Sequence, residues 1–184
     1  MRTLSGVCVL IALAAPAQGQ AVTLAELNGA TIETTIMYQT EARWNGQPVS
    51  TQSSHHRTVV LGPGNAGRTD WSMTITGPRG TRSSSPQSYS FTLGQPQQTQ
   101  SLGGGHSLWT FANGTLTYLQ THRVGGFKSS IAFTRRAGGV ACAVRAPLMR
   151  EVGMGNNRRE SVFGGDFEII GSRQMSSSCR VATR

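Results

Sequence analysis

Ile32-Glu33-Thr34-Thr35-Ile36-Met37-Tyr38-Gln39-Thr40-Glu41-Ala42-Arg43-Trp44 decides the fold class. Ile32, Thr34, Ile36, Tyr38, Thr40, Ala42 and Trp44 fall on one parity. Glu33, Thr35, Met37, Gln39, Glu41 and Arg43 fall on the other. A period of two puts each set on its own face of a β-strand, whereas on a helix the two sets would mix around the axis. A strand this long usually curls, as in a barrel or a strongly twisted sheet. Asn45-Gly46 ends it with a two-residue hairpin signal, because both turn positions need positive φ.

Working outward, Val49 to Leu61 reads as the second strand, with Gly62-Pro63-Gly64-Asn65 as a turn. Trp71, Met73 and Ile75 mark a third strand, and Tyr89, Phe91 and Leu93 a fourth. Thr81 to Gln87 is Ser-rich and Gly94 to Gly105 is rich in Gln and Gly, and both read as loops. Leu108 to Leu119 folds back at Asn113-Gly114. That turn sets Phe111 opposite Leu116 and Trp109 opposite Tyr118, on one apolar face. Phe127, Ile131 and Phe133 start the next strand, Val140, Cys142 and Val144 form its partner, and Asp166 to Ile170 is the last. Thr23-Leu24-Ala25-Glu26 has capping-box spacing, and Pro147 to Val152 fits a second short helical turn. The expectation is an all-β antiparallel meander of about nine strands closed into a barrel, with a two-sheet β-sandwich as the alternative.

Residues 1–19 read as a signal peptide. Arg2 precedes the apolar run Val7 to Ala15, which is too short to span a bilayer. Ala15-Pro16-Ala17 and Ala17-Gln18-Gly19 both offer small residues for cleavage. Residues 20–184 then form a single domain, exported to the periplasm or secreted. Cys8 leaves with the signal, so an oxidising compartment predicts a disulfide between Cys142 and Cys179. The chain carries 17 basic and 8 acidic residues, and Lys128 is its only lysine. Export argues against nucleic acid as the partner of this charge. Anionic envelope glycan or lipid headgroups fit an exported cation better, and solubility alone is the plain reading. The densest positive sites are Arg135-Arg136 and Arg158-Arg159, a candidate anion-binding surface.

No catalytic constellation emerges. Glu33 and Glu41 are eight positions apart on one strand face, roughly 26 Å, too far for a carboxylate pair. No Gly-x-Ser-x-Gly elbow occurs. His55 and His56 are neighbours, so on a strand they face opposite ways. His106 and His122 lie one position out of register across the Asn113-Gly114 turn. These histidines read as exposed strand residues, with no metal and no cofactor expected. Trp109, Phe111, Leu116 and Tyr118 read as core, or as the lining of a ligand cavity.

Within Leu108 to Phe133, Trp109-Thr110-Phe111, Asn113-Gly114-Thr115-Leu116-Thr117 and Gly125-Gly126-Phe127 resemble stretches of uncharacterised exported bacterial all-β proteins. The resemblance implies export and fold and carries no chemistry. Lipocalin-like proteins share the short turn before a long first strand, but here Gly29 is followed by Ala30 and Thr31, without the Gly-x-Trp signature. The functional expectation is a non-enzymatic β-domain that binds a small apolar ligand inside or an anionic envelope component outside. The alternatives are an envelope interaction protein without a pocket, and a small outer-membrane barrel. Aromatic residues make up only 7% of the chain, too few for two girdles.

Overall fold

The computed structural model describes residues 21–77, 80–99, 105–122, 125–146, 158–160 and 167–182. The proposed signal peptide and the Pro147 to Val152 turn lie outside them. The described residues are antiparallel β almost throughout, with two short 3-10 turns among them. The first of these turns, Ala25–Leu27, has Leu24 at its N-cap and no side-chain cap there, so the expected capping box is corrected: Glu26 reaches back instead, and the Thr23 N–H and hydroxyl both donate to its Oε2 at 2.7 Å. The Gly29 N–H then donates to Leu61 O at 2.7 Å, docking the turn onto the end of the second strand.

The first sheet holds β1 (Thr31–Trp44), β2 (Gln47–Leu61), β3 (Ala66–Gly77), β4 (Gly80–Ser83) and β5 (Gln87–Thr92), with β11 (Arg158–Glu160) and β12 (Phe167–Ala182) at its other side. Its order is β11-β12-β1-β2-β3-β4, and β5 also pairs with β3. The second sheet holds β6 (Gln97–Thr99), β7 (Gly105–Ala112), β8 (Thr115–His122), β9 (Gly125–Arg136) and β10 (Gly139–Arg145), in the order β10-β9-β8-β7-β6.

β1 and the hairpin turns follow the sequence reading. Asn45 and Gly46 take φ of 48° and 79°, and Asn113 and Gly114 take 48° and 68°, the left-handed values a tight hairpin needs. Trp109 pairs with Tyr118, Phe111 with Leu116 and Thr110 with Thr117, in the expected register. Three local expectations are corrected. Gly80–Ser83 in the Ser-rich segment is a strand, because Thr76 and Thr74 form hydroxyl pairs with Thr81 and Ser83. Gln97–Thr99 pairs with β7 inside the supposed loop. The last strand runs on to Ala182, because β1 offers it a ladder from Trp44 back to Thr31.

The barrel is also corrected. Among the described residues no ladder joins β10 to β12, nor β6 to β4 or β5, so the two sheets stay separate. The length of β1 is absorbed locally instead: its pairing with β12 is bulged between Met37 and Tyr38 and between Glu41 and Ala42. The sheets share one core that takes Ile32, Val59, Leu61 and Phe91 from the first and Trp109, Leu116, Ile131 and Phe133 from the second. The Cys142–Cys179 disulfide fastens β10 to β12 where no ladder does, with Cα atoms 5.6 Å apart. Beside it, Ser177 Oγ donates to Val144 O at 3.1 Å, and the Ala146 N–H donates to Gln174 Oε1 at 3.2 Å.

Candidate functional site

The parity that buries Val59 and Leu61 runs back along β2 through Arg57 and His55. Both therefore point into the space between the sheets, in a face whose other members are mostly apolar. Register places them in successive rows: Thr34, Arg57 and Trp71 lie side by side, then Ile36, His55 and Met73. The expectation of exposed histidines is thus corrected for His55. His56 does face outward, against the Thr35 hydroxyl at 3.0 Å, and His106 is exposed.

Above these rows, the second sheet supplies Phe127, Ser129, Ile131 and Val144. Together with Thr34, Ile36, His55, Arg57 and Trp71 they line a partly open cleft of about 20 Å³. That is room for a group the size of one or two waters.

Arg57 crosses from this cleft toward the aromatic core. Its Cζ lies 4.2 Å from the ring centroid of Tyr118 and 5.4 Å from that of Trp109, within cation–π range. Trp109 in turn stacks on Phe91 at 4.6 Å. Arg57 Nε is buried without a hydrogen-bond partner, and among the described residues no carboxylate pairs with the guanidinium. Tyr38 Oη, Thr69 Oγ1 and Trp109 Nε1 are also buried and unpartnered.

His55 rests edge-on against Tyr38, with ring centroids 5.0 Å apart, and its Nε2 meets Ser53 Oγ at 3.3 Å. Burial, then the charges of Arg57 and His56, hold its pKa down to about 4, so the ring is neutral at pH 7. Burial likewise pushes the Tyr38 phenol up to about 12, against the pull of Arg57, and raises that of Tyr118. The cleft is thus lined by Arg57, whose guanidinium lies against Tyr118 and Trp109, by one neutral imidazole and by two hydroxyls, those of Thr34 and Ser129. That set can hold and orient a polar group. The Thr34 hydroxyl already donates to Arg57 O at 3.4 Å.

The residues singled out from sequence lie elsewhere. Trp109, Leu116 and Tyr118 are buried in the core, and Phe111 packs partly buried against it. Trp109 and Tyr118 do not line the cleft; Trp109 bears on it through Arg57, and Tyr118 through Arg57 and through Phe127, with ring centroids 6.3 Å apart. Arg135 is held by Glu26, with its Nε donating to Oε1 at 2.9 Å and a terminal nitrogen to Oε2 at 2.8 Å. Arg136 is exposed at the end of β9, while Arg158 and Arg159 belong to β11, at the edge of the other sheet. The two arginine pairs are therefore placed on different sheets. The sequence reading passed over Arg57, although its shared parity with Val59 and Leu61 was a usable signal.

No family model, no curated protein and no solved structure matches the chain.

Proposed function

We propose that the protein is an exported, non-enzymatic β-domain, sandwich-like in architecture, that binds a small ligand in the cleft between its sheets. The observation that carries this reading is Arg57, a guanidinium set into an aromatic inner face with no carboxylate beside it among the described residues. A charge placed in a core without a protein counter-charge is costly, and a bound ligand or water offsets that cost. The size of the cleft supports a ligand, or a part of one, far smaller than the drug-sized molecules that ordinary pockets enclose.

A thermal-shift screen of small polar metabolites at neutral pH, followed through tryptophan fluorescence, tests the reading. A ligand should raise Tm and perturb Trp71, and substitution of Ser129 by Val should weaken its effect. If no compound raises Tm and native mass spectrometry finds only unliganded protein, the reading falls to the interaction protein without a pocket.

A further inference from the structure

We propose that the cleft receives the carboxylate end of a small organic acid, with the Arg57 guanidinium as its counter-ion and the acid's apolar part against Phe127, Ile131 and Val144. The inference rests on the cleft being a ligand site and names the chemistry of the group recognised there. Three observations converge on it. The first is the missing counter-charge. Arg57 is fixed by the faces of Tyr118 and Trp109, yet it keeps a buried N–H without an acceptor. A cation held by ring faces still has its in-plane donors to satisfy, and a carboxylate is the acceptor that matches a guanidinium edge.

The second is size. The enclosed part of the cleft, about 20 Å³, takes only a small head group, so the rest of the acid extends along the wall through the open side. The third is the division of the lining by chemistry. Of the lining residues of the first sheet, Thr34, His55 and Arg57 are polar and Ile36 and Trp71 apolar, while opposite them Phe127, Ile131 and Val144 are apolar and Ser129 alone is polar. An amphipathic acid matches that division; an inorganic anion leaves the apolar wall without a partner.

The groups near His55 are Tyr38 on β1, Arg57 and His56 on its own strand, and Trp71 on β3. The cleft residues of the second sheet carry no titratable group. Burial is the larger cause of the low His55 midpoint and the Arg57 charge the next; an anion seated beside Arg57 would offset that charge, and the His55 midpoint would move up.

The experiment compares butyrate, neutral butyramide and inorganic phosphate on the full exported chain. NMR follows the His55 ring and the Trp71 indole, and a pH titration runs with and without each compound. Butyrate should shift both signals saturably, raise the His55 midpoint, and bind about tenfold or more tighter than butyramide. Arg57→Gln should abolish that preference. Because this variant also disturbs the core, the His55 midpoint in the unaltered protein serves as the independent readout. If butyramide binds as well as butyrate, the cleft remains a ligand site and the carboxylate assignment is overturned. Tighter binding of phosphate than of butyrate overturns it as well. If none of the three perturbs His55 or Trp71, the carboxylate assignment is overturned, while the ligand reading stands or falls with the metabolite screen.

Discussion

Two inward side chains set the character of the molecule at the scale of the residue. His55 is neutral when folded, with a pKa near 4 against an ordinary 6.5. The unfolded chain therefore takes up a proton between those values while the folded chain does not. Stability from this group is present in full above about pH 6.5 and declines as pH falls toward 4. Denaturant unfolding at pH 7 and pH 4.5 should show a loss of roughly 2–3 kcal/mol from this source. His55→Phe should flatten the slope in that window. Gly67 is the second residue-scale test. A Cβ built there would lie 2.2 Å from Phe91 Cζ, on the partner residue of the neighbouring strand. Gly67 thus makes room for the ring that stacks on Trp109. Gly67→Ala should cost about 1–3 kcal/mol by overpacking, and the cost should shrink in a Phe91→Leu background.

Among the elements, attachment at the seams matters more than strand content. The disulfide closes a sequence separation of 37 and joins strands that share no ladder. Chain entropy puts its loss at about 4 kcal/mol. The Cys142→Ala/Cys179→Ala double variant should unfold at lower denaturant, and hydrogen exchange should rise first in β10, before the β1–β2 ladder. The Glu26–Arg135 pair likewise joins the N-terminal turn to the end of β9. Hydrogen bonds from Arg135 and then Thr23, with the Arg135 charge adding, hold Glu26 down to about 2. Its contribution is present above about pH 4.5 and is lost as pH falls through about 2. Glu26→Gln should remove that part of the acid sensitivity, read as the change in Tm between pH 5 and pH 2.

Across the whole molecule, the two faces of the first sheet differ. Glu33, Glu41 and Arg180 stand exposed on its outer face, while the inner face carries Arg57 against aromatic rings. A membrane barrel needs the reverse, an apolar band outside. Fractionation without detergent should therefore leave the protein in the aqueous phase; recovery only with detergent would contradict the two-sheet architecture. Among the described residues no helix is long and apolar enough to cross a membrane.

The sequence by itself determined the strand class, the register of the Asn113–Gly114 hairpin and the pairing of Cys142 with Cys179. Those depend on local alternation, on the positive φ of two turn residues, and on there being one possible partner once Cys8 is set aside. Parity along β2 even held the inward position of His55 and Arg57, though their polarity argued for the outside. Only the tertiary structure decided that the sheets stay open, that Arg135 is taken by Glu26, and that Arg57 is roofed by Tyr118 and Trp109. Each of those joins residues far apart in the chain, so it depends on how two faces meet in space, which no local period encodes.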